Sequence, residues 1–247
     1  RRTRRALRHA GTARSSRLAH ADPVRDAAAA IGTIALSAQQ RERERYPLIL
    51  LGLFLAFWSA LAIAPHYRED WLLENVLVVI ALPLLVWSHR RIGFSHYALT
   101  ALFVFFCLHT VGAYYTYSEV PWNAGLKALT GWDAMQSLGL QRNPFDRVVH
   151  FSYGLLIVPA VAELIDARGP LRGIWRQLVP IMFIMSNSEL YEMIEWQAAE
   201  TFGGDLGQAY LGTQGDIWDA QKDSLMAMLG AILGLAIYRM CVERRLR

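Results

Sequence analysis

The sequence predicts an all-α, polytopic membrane helix bundle with about six transmembrane helices, and three observations carry that expectation. Of the 247 residues, 54% are hydrophobic. These residues stand in long blocks parted by short polar stretches. The basic residues, finally, are sorted between alternate polar stretches, as they are in chains threaded repeatedly through a bilayer.

A span needs roughly 20 mainly apolar residues to cross about 30 Å of hydrocarbon, where only a helix satisfies its own backbone hydrogen bonds. Six blocks approach that length, at 47–64, 72–88, 96–115, 149–166, 174–195 and 223–241. The second contains Pro83, and the fifth contains Pro180 and the polar run Ser186-Asn187-Ser188-Glu189. The sixth carries Ala227, Gly230, Ala231 and Gly234, small residues that allow close approach of another helix. Trp58, Trp71, Trp122, Trp132, Trp175, Trp196 and Trp218 fall near span ends or in loops, as interfacial anchors do. Cys107 and Cys241 both lie inside expected spans, far apart in sequence, and read as buried free thiols.

Of the 25 Lys and Arg residues, 20 fall in the N-terminal tail, the second and fourth loops and the C-terminal end, against 5 in the first, third and fifth loops. Arg41, Arg43 and Arg45 precede the first span, and Arg90 and Arg91 follow the second. Arg168, Arg172 and Arg176 lie around the fourth loop, and Arg244, Arg245 and Arg247 close the chain. The positive-inside rule puts both termini in the cytoplasm. The same sorting accounts for the net charge of +4 without a nucleic-acid partner. Two units follow, a flexible basic cytoplasmic tail over 1–45 and a six-helix domain over 46–243. Residues 1–20 hold seven arginines and no acid. An arm lying on anionic lipid headgroups is the favoured reading, with a transit peptide or an extended start as alternatives.

Once the topology is drawn, the ionisable residues gather at the outer ends of four helices. His109 ends the third span, with Glu119 beyond it. Asp146 and His150 open the fourth at an i,i+4 spacing that shares one face. Glu189, Glu192 and Glu195 occupy the outer half of the fifth, and Asp216, Asp219 and Asp223 open the sixth. Arg142, Arg147 and Lys222 are the cations near them, too few to pair with every acid. Ionisable groups at membrane depth face a cavity or a partner, and carboxylates in excess are relieved by protonation or by a divalent metal of undetermined identity. The candidate ligands are His109, His150, Glu192, Asp216 and Asp219, and the candidate acid–base groups are Asp146, Glu189 and Asp223. Taken singly, each has a plainer account. Asp216 and Asp146 suit helix N-caps, His150 suits an interhelical hydrogen bond, and Glu195, Glu200 and Asp205 suit solvated loop positions. Four helices delivering such groups to one level favour a shared polar site.

Four runs, Tyr67 through Asn75 (YREDWLLEN), His109 through Pro121 (HTVGAYYTYSEVP), Asn143 through Gly154 (NPFDRVVHFSYG) and Leu211 through Asp223 (LGTQGDIWDAQKD), resemble the YjdF-like family of bacterial inner-membrane proteins over about residues 46–242. That resemblance implies a multi-pass plasma-membrane protein and no particular reaction. Asp146 with His150, Glu192, and Asp216 with Asp219 also resemble the pattern of VanZ-like membrane proteins, although Glu195 stands where those carry Gln.

Three functions compete. A metal-dependent enzyme acting on a lipid-linked or envelope substrate stands slightly ahead of a structural or partner-binding membrane protein. An ion- or proton-coupled carrier comes last, because no internal repeat is evident. Membrane lipids are the partners this chain requires, and the sequence names neither a substrate nor a protein partner.

Overall fold

A computed structural model describes residues 44–169, 171–204 and 212–243. All but the last two residues of the basic tail, together with Asp205, Arg244, Arg245 and Arg247, lie outside the described residues.

The described chain is helical. Helix α1 covers Glu44–Leu61, α2 Arg68–Ile92 and α3 His96–Tyr115. A 3-10 turn, Tyr117–Glu119, leads to the short helices α4 (Trp122–Thr130) and α5 (Ala134–Ser137). Three long helices follow, α6 (Phe145–Arg168), α7 (Trp175–Phe202) and α8 (Asp219–Ile237), the last continuing as a π-helix over Tyr238–Glu243.

Five helices, α1, α2, α3, α6 and α8, are long and apolar enough to cross a membrane. The expected fifth span corresponds to α7, which at 28 residues has ample length. Its run from Ser186 to Glu195 carries too much polarity to meet the apolar condition, so among the described residues five of the six expected spans meet it by length and composition. The prolines do not break the helices: Pro83 lies inside α2, Pro159 inside α6 and Pro180 inside α7.

Local chemistry sets the tight turn between α2 and α3. Gly93 adopts φ +69° and its N–H bonds the His89 carbonyl at 2.8 Å, closing α2 with a left-handed residue. Ser95 then caps α3, its Oγ accepting from the Ala98 N–H at 3.1 Å.

Helices α6 and α8 make the most extensive contact in the bundle. Three glycines create it. A Cβ on Gly154 would strike the Ala227 carbonyl, one on Gly230 the Phe151 carbonyl, and one on Gly234 the Leu155 carbonyl. The small residues of the sixth span therefore do what their sequence suggested, bringing two backbones together where any side chain would hold them apart. Helices α3 and α7 flank this pair. One apolar core, including Phe54, Val78, Phe105 and Val149, joins α1, α2, α3 and α6. A second, including Val158, Ile184, Ala231 and Leu235, joins α6, α7 and α8.

The long helices alternate in direction, so their ends sort by charge. At one end Asp166 on α6 takes Arg176 at 2.8 Å and Arg239 at 2.7 Å. Nearby, Glu163 accepts from the Ser95 N–H (2.8 Å), the Ser95 hydroxyl (2.5 Å) and the Tyr238 hydroxyl (3.1 Å). The opposite end carries the acidic residues.

Candidate metal centre

The loop between α3 and α6 is pinned over the acidic end by one side chain. Asn143 donates through Nδ2 to the Ser118 and Val120 carbonyls, each at 2.9 Å, and accepts from the Trp122 indole N–H at 2.7 Å. Its backbone N–H reaches the Gln214 side chain at 2.8 Å, and Gln214 returns a bond to the Asn143 carbonyl at 3.0 Å. This ties the α3–α6 loop to the turn before α8.

Beneath that tie lies an ion-pair layer. Arg142 binds Asp219 through both terminal nitrogens and also reaches the Thr213 carbonyl at 3.2 Å. Arg147 bonds Asp216 at 2.5 Å and Asp219 at 3.2 Å. Lys222 closes on Asp216 at 2.6 Å. Asp216 is not the N-cap of α8. It stands in the preceding turn, where its Oδ1 accepts from the Trp218 N–H at 3.1 Å. Asp216 and Asp219, expected as metal ligands, are thus the acids that the nearby cations engage, and the shortage of positive charge falls on the acids beyond them.

Those acids gather around His150, with Asp223 buried and Asp146 half-buried. Asp146, His150 and Asp223 each place one ligand atom within 4.8 Å of the other two. His150 Nε2 stands 3.7 Å from Asp146 Oδ1 and 3.3 Å from Glu192 Oε1, while its Nδ1 meets the Ser188 hydroxyl at 3.3 Å. Asp223 is 2% exposed; its Oδ1 has no hydrogen-bond partner among the described residues, and Arg147 Nε lies 3.9 Å away. Asp146 and His150 open α6 one turn apart, so the i,i+4 register brings them to the same face, as their spacing implied.

Other sequence expectations fare differently. His109 is buried on α3, outside the Asp146/His150/Asp223 group; its Nδ1 pairs with the Tyr117 hydroxyl at 2.5 Å, and the Glu74 backbone carbonyl approaches its ring. Glu189 is exposed and accepts from the Ser224 hydroxyl at 2.8 Å, linking α7 to α8 outside the cluster. Glu195 is not a solvated loop charge: α7 runs past it, and it is 8% exposed, against the Glu192 carboxyl and the Tyr191 hydroxyl.

Two members escaped the sequence reading. Asp70 and Glu74 on α2 are both buried at the same end. Tyr191 donates to Glu74 at 2.7 Å, bridging α7 to α2, and Glu74 lies within electrostatic reach of Asp146. Their signal was available, since Asp70 and Glu74 share a helical face at i,i+4 where the second span enters the membrane.

A cavity of about 460 Å³ runs from this cluster into the bundle. Asp146, His150, His109 and Tyr191 line its polar end, and Phe105, Tyr153, Leu164 and Trp87 line its apolar length.

The family described as "Predicted membrane protein (DUF2238)" matches residues 46–244, which include every acid and histidine named in this site. The chain belongs to this family. Inner membrane protein YjdF of Escherichia coli (strain K12) is 38% identical over 175 residues, covering 69% of this chain and 78% of its own. No solved structure matches. The DUF2238 match leaves only the basic tail and the last three residues outside.

Two carboxylates in turns between the long helices of this DUF2238 member are held ionised by their neighbours. Lys222, the Trp218 N–H and Arg147 hold Asp216 well below its ordinary 3.8. The Gln136 N–H, Asn123 and Lys127 pull Asp133, the N-cap of α5, down to about 2. Depressed values mean that the stabilisation is fully present above the ordinary value and is lost as pH falls through the folded one. Trp132 and Trp218 adjoin these residues, so their fluorescence should hold steady down to about pH 4 and change only below it. A transition centred above pH 4 would contradict this assignment.

Proposed function

We propose that this chain is a divalent-metal-dependent inner-membrane enzyme acting on a lipid-linked or envelope substrate at the outer face. The observation that carries the proposal is the convergence of half-buried Asp146 with buried His150 and Asp223, three ligand atoms within 4.8 Å of one another. Tetrahedral zinc with bonds of 2.0–2.1 Å separates its ligands by about 3.4 Å. The 3.7 Å between His150 Nε2 and Asp146 Oδ1 approaches that value, and Asp223, with a ligand atom within 4.8 Å of both residues, closes on the ion by a shift of its side chain. Manganese, iron and magnesium accept the same oxygen and imidazole donors.

In this reading His150 binds through Nε2 while Ser188 fixes its ring through Nδ1, a common means of orienting a metal-binding imidazole. Asp146 and Asp223 supply charge, and Glu192 extends the set or takes the proton from an attacking water. A divalent ion here would polarise a substrate oxygen or activate water. Asp216 and Asp219 hold Arg142 and Arg147 in place at its rim. The arginine-rich end is assigned to the cytoplasm by the positive-inside rule, which puts the site at the outer face. The name of the Escherichia coli relative supports an inner-membrane location.

Metal content measured by mass spectrometry on detergent-purified protein, reloaded with Zn, Mn or Mg, tests the proposal. Close to one ion per chain is expected in the parent protein, with most of it lost from Asp146→Asn/Asp223→Asn at unchanged size-exclusion elution. Equal metal in both, or none in either after reloading, would overturn it and leave the cluster as a network of shared protons.

A further inference from the structure

The cavity below the polar cluster has a shape that selects a substrate class. Its lining on α6 extends from Asp146 to Leu164, a rise of about 27 Å at 1.5 Å per residue. That is nearly the whole hydrocarbon thickness of about 30 Å, and well beyond the half of it that one leaflet's chains occupy. Spread along this length, the 460 Å³ volume leaves a mean cross-section of about 17 Å². A space this narrow and this long follows the course of an extended hydrocarbon chain.

The walls explain how such a chain would enter. The floor is α3 and α6, with Leu102, Phe105, Tyr153 and Ile157 along it. The sides are α2 and α7, whose lining residues Leu84, Trp87, Phe183 and Ile194 are about half exposed. The Tyr191–Glu74 hydrogen bond joins α2 to α7 at the polar end, whereas extensive packing between these two helices is absent among the described residues. A lateral opening toward lipid follows, with its polar end at Asp146 and His150.

We infer that the groove binds a lipid with a single chain longer than an ordinary acyl chain, of the polyprenyl phosphate class, its chain along α6 and its headgroup at the Asp146/His150/Asp223 centre. The headgroup end rests on the proposed metal site, because an acidic cluster accepts a phosphate only through a bridging cation. The chain end stands on the shape of the groove alone.

Two photoreactive probes test it in purified protein, a long polyprenyl monophosphate and dioleoyl phosphatidylglycerol, each with a diazirine at the chain terminus. The polyprenyl probe should label peptides around Trp87 and Leu164, the far end of the groove. Ala81→Trp, placed on the partly buried groove wall of α2, should lower that labelling about tenfold, equivalent to roughly 1.4 kcal/mol. Ala160→Phe provides a second block should the first variant elute as aggregate. Labelling that survives chelation and Asp146→Asn/Asp223→Asn, while metal content fails, would retain the groove and reject the metal centre. Equal labelling by the phosphatidylglycerol probe at the same peptides, or labelling untouched by either groove-filling variant, would overturn the single-long-chain assignment.

Discussion

Gly154→Val or Gly230→Val should destabilise the protein more than any other single substitution in the bundle. At both positions a new Cβ meets a backbone carbonyl of the opposing helix, the Ala227 oxygen for Gly154 and the Phe151 oxygen for Gly230. A flexible side chain can swing away from such a clash, but a helix backbone cannot. Helices α6 and α8 would have to separate along their whole contact, taking Ile184, Ala231 and Leu235 out of close packing. Overpacking costs about 1–3 kcal/mol at ordinary core sites, and a clash with backbone belongs at or above the top of that range. Thermal unfolding followed by size-exclusion chromatography should show a large loss of monodisperse protein for both variants. Gly52→Ala is the control, because nothing lies within 4 Å of its added Cβ. The separation also carries Asp223 away from Asp146 and His150, so any metal retained by the parent protein should fall in parallel.

Arg142→Met is the second large effect. Arg142 pairs with both oxygens of Asp219, which is 5% exposed, and its removal leaves that carboxylate leaning on Arg147 at 3.2 Å alone. Breaking a buried pair from one side costs about 3–5 kcal/mol, because the remaining charge stays desolvated. The continued contact with Arg147 puts the expected loss near 3 kcal/mol, at the lower end of that range. Asp219→Asn in the same chain removes the stranded charge and should restore much of the stability, with a coupling energy on the order of 1–3 kcal/mol. Denaturant midpoints for the two single variants and the double variant form the cycle. Strict additivity would show that the pair contributes nothing as a pair.

Gly154, Gly230 and Gly234 are legible as small residues in an apolar helix, and their packing role follows from helix geometry together with the absence of a side chain. The i,i+4 pairing of Asp146 with His150 is legible for a similar reason, since it is a property of one helix. Which acids meet cations is a different matter. Arg142 and Asp219 are remote in sequence, and no periodicity connects them. Glu195 looked like a loop charge because the polar run of α7 suggested that the span ended there, whereas the helix continues to Phe202 and turns this residue inward. His109 shares a membrane level with the site yet falls to the Tyr117 hydroxyl, a partner supplied by the 3-10 turn that follows α3.

The sequence by itself determined the helical membrane class, all five of the apolar helices to within four residues at each edge, the charge separation between the two ends and the presence of an acidic layer at one of them. These depend on hydropathy, period and loop charge, which are local along the chain. Tertiary structure alone decided that Asp216 and Asp219 pair with Arg142, Arg147 and Lys222, that Asp70, Glu74 and Glu195 join the buried acids, and that Asp146, His150 and Asp223 come within 4.8 Å of one another. Those outcomes depend on the rotation of each helix about its axis, and that rotation is set by contacts between helices, foremost the glycine-mediated approach of α6 to α8.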